Sequence, residues 1–192
     1  MTDGPGTRTA GVVLAGGRSE RFGSDKAAAR WRGRQLVDWS VAALAPYCDI
    51  IFISGRDHPA YVRVSDRPEP GLGPLGGLAG ALFAAKEQGR DRILSLPCDT
   101  PELPAGLLAI LCAQDGAAFV ESCPVIGVWP VADGARLESW LASGKPRAMR
   151  AWTDEIGAIA IRADSPIPNI NHPADLAHLD RRWPVAKPAG AR

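Results

Sequence analysis

A glycine-rich, cationic loop near the start of the chain constrains it more than any other stretch. It reads Leu14-Ala15-Gly16-Gly17-Arg18-Ser19-Glu20-Arg21-Phe22-Gly23-Ser24-Asp25-Lys26. The apolar run before it, Gly11-Val12-Val13-Leu14, predicts a buried strand. Beyond a turn at Gly33, the apolar spacing of residues 36–44 predicts a helix. Strand, glycine-rich loop and helix together suit phosphate, because glycines let backbone N–H groups approach an oxyanion closely. Arg18, Arg21 and Lys26 add three cations that can neutralise a polyphosphate. Two other phosphate loops are excluded. Lys26 follows Asp25 and precedes Ala27, which breaks the P-loop pattern, and Gly16-Gly17 with Gly23 does not fit Gly-x-Gly-x-x-Gly.

Residues 49–53 predict a second strand ending at Ser54-Gly55, and residues 61–64 a third ending at Ser65-Asp66. Strands alternating with helices indicate parallel crossover units, whose ligands bind beyond the carboxyl ends of the strands. The loops after Leu14, Ile53 and Val64 should therefore converge. Residues 67–77 hold too many glycines and prolines for regular structure and lead into a helical run over residues 78–88. A further strand, residues 91–96, runs into Pro97-Cys98-Asp99-Thr100-Pro101. Asp99 at the end of a central strand is well placed to hold Mg²⁺, a hard cation that takes one or two carboxylates plus phosphate oxygens. The other reading is that Asp99 caps the next helix, with Thr100 assisting. The first loop favours the metal.

The second half is less regular. Residues 117–120 and 125–129 predict two strands joined by a hairpin-like return. Residues 137–141 and 147–152 predict short helices, and residues 156–161 another strand. Asn169, Asn171 and Pro173 open the last helix, where Asn171 is a sufficient N-cap. Residues 1–9 are expected to be disordered, residues 10–183 to form one domain, and residues 184–192 to be a flexible tail.

A formal net charge of +1 gives no global attraction to nucleic acid or membrane, so an anion site must be local. The four cysteines, Cys48, Cys98, Cys112 and Cys123, show no C-x-x-C pair, which argues against structural zinc and a disulfide framework. No leader or long apolar run is evident, so a cytoplasmic enzyme with reduced thiols is expected. Cys98 beside Asp99 reads as a small buried residue rather than a nucleophile. His58, His172 and His178 read as surface or capping residues.

These motifs carry a resemblance that runs from Gly11 to Leu176. Leu14-Ala15-Gly16-Gly17, then Arg21-Phe22-Gly23, then Asp25-Lys26 is similar to the signature loop of the MobA-like nucleotidyltransferases, the molybdenum cofactor guanylyltransferases. Phe22 stands where that family commonly has Met. Gly73-Pro74-Leu75-Gly76-Gly77 resembles its GPLAG stretch, with Gly76 in place of Ala, and Pro97-Cys98-Asp99-Thr100-Pro101 its PCDxP. Asn169-Ile170-Asn171 followed by Pro173, Asp175 and Leu176 matches its asparagine motif, from which His172 and Ala174 depart.

The resemblance implies an α/β fold, a three-layer, Rossmann-like and mostly parallel sheet with helices on both faces. It implies GTP and molybdopterin as substrates, Mg²⁺ as cofactor, and transfer of GMP with release of pyrophosphate. Leu14, Ala15, Gly16, Gly17, Lys26, Ser54, Asp66, Gly73, Pro74, Leu75 and Asp99 are the implied nucleotide-binding residues. Asp99 is the metal ligand, and Arg21 and Lys26 stabilise the leaving pyrophosphate. Ser54 replaces a common Asn and has a shorter reach, while the Gly76 departure implies a slightly wider base pocket. Arg147, Asn169 and Asn171 are implied on the acceptor side. Transient contact with molybdenum-cofactor biosynthesis or acceptor proteins is expected, with a monomer as working form. Two alternatives stay open: a cytidylyltransferase or a transferase for another phosphate acceptor, and a non-catalytic nucleotide-binding protein. Gly17 favours guanine, because the cytidylyl pattern is LAAG.

Overall fold

Strand β1, Thr9–Leu14, is buried at every residue and lies inside the sheet. An unbroken apolar run is what a strand covered on both faces requires. The computed structural model describes residues 7–16 and 26–182. Order begins before residue 10: the Arg8 N–H donates to the Asp91 carboxylate at 2.8 Å, and Thr9 is already in the strand. Residues 1–6 and the expected tail, 184–192, lie outside the described residues.

Two short strands, β2 (Arg30–Trp31) and β3 (Arg34–Gln35), form an antiparallel hairpin that reading by periodicity missed. Helix α1 follows at Leu36–Leu44, at the expected limits. The main sheet continues with β4 (Ile50–Ser54), β5 (Val62–Val64), β6 (Arg92–Pro97), β7 (Ala118–Val120), β8 (Cys123–Pro130) and β9 (Ile159–Ile161). Its order is β5-β4-β1-β6-β8-β7-β9. Four of its six ladders are parallel and the two that involve β6–β8 and β7–β8 are antiparallel, so β8 alone is reversed.

The other helices are α2 (Gly73–Glu87), α3 (Leu107–Cys112), α4 (Gly134–Ala142), α5 (Met149–Ile156) and α6 (Pro173–Arg182). Strand alternation divides the core between two faces. Val12, Phe52 and Ile93 pack with α2, α4 and α5, where Leu78, Leu82, Trp140 and Trp152 meet them. Val13, Ile53, Leu94 and Leu96 pack on the opposite face with Val37, Val41 and Leu44 of α1 and Leu107 of α3. The expected three-layer, mostly parallel sheet is what the chain forms.

Three boundaries differ from expectation for identifiable reasons. Helix α2 starts at Gly73 rather than residue 78, with Pro74 in its first turn, where a missing N–H costs no hydrogen bond. Gly76, Gly77 and Gly80 within it are there for contact: a Cβ on Gly80 would lie 2.0 Å from the Ser65 carbonyl oxygen. Residues 156–161 are not one strand, because Ile156 ends α5 and Gly157 caps it in the left-handed region at φ 64°. Arg147 precedes α5 rather than belonging to it. Trp129 fits on β8 because Gly127 leaves room for its ring, and its indole N–H donates to the buried Ser95 hydroxyl at 2.8 Å.

Burial settles the cysteine chemistry on the α1 side. Burial, aided by nearby Cys112 and Asp49, pushes the Cys48 thiol up to about 12 from an ordinary 9.0. The thiolate is the nucleophile, so native Cys48 should resist iodoacetamide at pH 8 and react once unfolded. Folding favours the protonated thiol, so this group's contribution is full below about pH 9.0 and is lost as pH rises toward 12. Urea midpoints between pH 8 and 10 should accordingly fall less in Cys48→Ala than in the wild type.

Candidate active site

Register fixes the site. Leu14 pairs with Ser54 on one side and Pro97 on the other, and Ser54 pairs with Val64. Four strand ends, Val64, Ser54, Leu14 and Pro97, therefore stand in one row at the carboxyl edge. The loops that leave them are forced together, as the sequence led us to expect. The Ala15 N–H donates to the Ser54 carbonyl at 2.9 Å and the Cys98 N–H to the Leu14 carbonyl at 3.2 Å. From α1, the buried Ser40 hydroxyl donates to the Pro97 carbonyl at 2.8 Å, which holds the turn before Asp99.

A cleft of about 510 Å³ opens over this row, lined by Leu14, Gly16, Ser54, Gly55, Asp66, Gly71, Gly73 and Pro74. Six of these were expected nucleotide residues; Gly55 and Gly71 were missed. Gly55 has φ 89°, and a Cβ there would meet Gly16 Cα at 2.2 Å. Two backbones touch at this point, so a side chain at position 55 would force the loops apart. Asp66 accepts the Gly71 N–H at 3.0 Å, closing the loop that precedes α2. Ala15 lies at the strand end, half-buried beside the cleft. Leu75 is fully buried in the α2 core and does not line the cleft.

Gly76 does not widen the pocket as its departure from the family pattern implied. A Cβ there would fall 2.7 Å from Leu72 Cβ and 3.1 Å from the Asp66 side chain. The missing methyl is replaced by closer packing of α2 on Asp66, and no space is left over. Ser54 is similarly fitted, since a Cβ on Gly77 would lie 2.4 Å from its hydroxyl oxygen.

Asp99 is half-buried on the far side of β1. It does not cap a helix: α3 begins only at Leu107, after Gly106 in the left-handed region. Its carbonyl accepts the Ile170 N–H at 2.9 Å, which lays Asn169 and Asn171 beside it, both exposed. The same edge receives the β7–β8 turn. Burial raises the Cys123 thiol, and the negative charge of Asp99 adds to that rise. Arg150 donates to the Glu121 carbonyl at 2.5 Å in this turn. Arg147 is exposed between α4 and α5. Asn171 precedes the N-cap of α6, and Asp175 secures that helix end by accepting the N–H groups of Asn171 and His172, each at 2.8 Å.

Gly17 and Arg21, together with Arg18, lie outside the described residues. The backbone of Lys26 opens a short 3₁₀ turn, Lys26–Ala28, and its side chain is outside what is described. His58 joins Asp38 of α1 at 3.0 Å while its other nitrogen accepts the Ala60 N–H, a bracing role away from the cleft.

Among the described residues no group of three or more His, Cys, Asp or Glu could cage a metal. A single carboxylate at Asp99 fits a cation that completes its shell with substrate phosphate and water, as Mg²⁺ does. No helix among the described residues is long and apolar enough to cross a membrane.

The chain is similar to known proteins along most of its length. The MobA-like NTP transferase domain matches residues 11–165, ending before Asn169 and Asn171. A molybdenum cofactor guanylyltransferase of Cereibacter sphaeroides is 36% identical over 188 residues, covering 90% of this chain and 96% of that relative. Another from Rhodobacter capsulatus is 34% identical, covering 91% and 96%. Among solved structures, molybdopterin-guanine dinucleotide biosynthesis protein A of Archaeoglobus fulgidus aligns with TM-score 0.71 at 18% identity, covering 91% of this chain and 97% of that one. The 2-C-methyl-D-erythritol 4-phosphate cytidylyltransferase of Thermus thermophilus shares the fold, with TM-score 0.66 at 17% identity, covering 89% and 96%. The chain belongs to the MobA-like NTP transferase family and is a nucleotidyltransferase.

Proposed function

We propose that this enzyme transfers GMP from GTP to the terminal phosphate of molybdopterin and releases pyrophosphate. The observation that carries the reading is the extent of its likeness to molybdenum cofactor guanylyltransferases, which covers 90% of the chain. The cleft over Leu14, Gly16, Ser54 and Asp66 would take the nucleotide, with Gly73 and Pro74 against the base. Asn169 and Asn171, next to Asp99, and Arg147 would face the acceptor.

In the reaction an oxygen of the acceptor phosphate attacks the α-phosphorus of GTP. A new P–O bond forms, the α–β P–O bond breaks, and pyrophosphate leaves with its electron pair. The attacking oxygen is already anionic, so the chain needs no general base, and its task is alignment and charge neutralisation. Backbone N–H groups of the first loop, including Gly16 and Gly17, would cradle the triphosphate, and Arg21 and Lys26 would neutralise the departing charge. Asp99 would hold Mg²⁺, whose contribution when bound is to offset negative charge on the phosphate oxygens.

Thermal stabilisation with GTP, CTP, ATP and UTP in the presence of Mg²⁺ tests the reading. A ligand at a hundred times its dissociation constant adds about 2.7 kcal/mol, roughly 5–10 °C for a chain of this size. Stabilisation by GTP alone is expected. Stabilisation by CTP alone would transfer the chain to cytidylyl chemistry. Nucleotide binding without Mg²⁺-dependent pyrophosphate release in the presence of molybdopterin would reduce it to a binding protein.

A further inference from the structure

The loop that carries Asp66 is held from outside the cleft by a residue of the second half of the chain. Arg67 follows Asp66 directly, and its N–H donates to the Gly76 carbonyl at 3.1 Å in the first turns of α2. Its guanidinium reaches away from the cleft to Glu138 of α4. Nε pairs with one carboxylate oxygen, and Nη2 lies 3.3 Å from the other. The same guanidinium lies over the Phe83 ring of α2, 3.9 Å from its centroid. A planar fork fixed by a carboxylate in its plane and an aromatic face beneath it has little freedom left.

We propose that Glu138, acting through Arg67, is a positioning residue for nucleotide binding. The main chain transmits the effect. Rotating Arg67 moves Asp66, and Asp66 holds the Gly71 N–H that shapes the wall of the cleft. Glu138 is not among the lining residues named above, and its influence on the nucleotide would run through Arg67. The pair is partly exposed, with side chains 38% and 26% accessible, so its effect is that of a solvated ion pair rather than a buried one.

The inference rests on the reading of the cleft as the nucleotide site, and the experiment separates the two. Wild type, Glu138→Gln, Arg67→Met and the exchanged pair Arg67→Glu/Glu138→Arg are compared by Mg²⁺-dependent pyrophosphate release and by GTP titration. In each single variant, KM and Kd for GTP should rise about fivefold, an effect of the size a partly exposed ion pair gives, with kcat within twofold. The exchanged pair should recover most of the affinity. A merely structural pair would lower Tm and leave KM unchanged at 25 °C. Glu138→Asp, which keeps the charge one methylene short, serves if Glu138→Gln folds poorly, and an intermediate rise in KM is expected for it. Wild type that binds GTP alongside variants that bind it equally well overturns this proposal alone. Wild type that binds no nucleotide overturns both.

Discussion

Asp99→Asn should lower turnover a hundredfold or more while leaving the folded chain intact. The substitution keeps the shape of the side chain and removes its charge. The contact that organises the neighbourhood is the Asp99 backbone carbonyl accepting from Ile170, which the variant retains. Cys98 N–H to Leu14 and Ser40 to Pro97 likewise hold the turn without the carboxylate. Loss of one charge contact aimed at the transition state is worth ~2.7–4 kcal/mol, and among the described residues no group of three or more His, Cys, Asp or Glu could hold the metal in its place. Mg²⁺-dependent pyrophosphate release measures the effect, and a thermal melt within a few degrees of wild type shows that the fold survives. Turnover near the wild-type rate would remove Asp99 from the reaction. A restored rate at high Mg²⁺ would place its role in metal affinity.

Gly55→Ala should have the largest effect on stability at the site. The new Cβ would stand 2.2 Å from Gly16 Cα and 2.3 Å from its nitrogen, both backbone atoms with no side-chain freedom to yield. The residue also sits at φ 89°, where a side chain is strained whatever the space. Overpacking and backbone strain together amount to roughly 3 kcal/mol, or about 6–12 °C in Tm. Gly144→Ala separates the two causes, since Gly144 has φ 73° and nothing within 4 Å. It should lose only the strain, about 1 kcal/mol. Equal losses in both variants would show that the Gly16–Gly55 contact does not constrain the loops. Gly55→Ala should also weaken GTP binding, because relief of the collision must displace the first loop.

The site was legible where function depends on a few residues close together in the chain. The cleft positions of Gly16, Ser54 and Asp66 were readable because each follows a short apolar run that ends in glycine or a polar residue, and parallel strands bring such ends to one edge, whereas Gly73 and Pro74 were reached only through the resemblance. Helix α1 was readable from its apolar spacing. Features that depend on distant partners were not. The reversal of β8 against β7 was legible in the hairpin-like return between them, but nothing local to residues 123–130 states that β8 also pairs antiparallel with β6, a partner about 30 positions away. The start of α2 was hidden for the opposite reason. Gly76, Gly77 and Gly80 resemble punctuation in the sequence, yet they serve close packing against Asp66, Ser54 and Ser65. Arg67 and Glu138 are separated by 71 positions and carry no motif.

The single reversed strand also bears on how such an enzyme can diversify. β5, β4, β1 and β6 form an uninterrupted parallel block drawn from the first half of the chain. β8 comes next to it, and its short turn to β7 delivers the second half of the chain to the same edge without another crossover helix. The second half joins this block within the sheet along the β6–β8 ladder, whose register is set by backbone hydrogen bonds, and beside the sheet where α4 packs on α2. On the function proposed above, changes in the β7–β8 turn and around residue 170 would alter the acceptor side while the register of the strand ends stays in place.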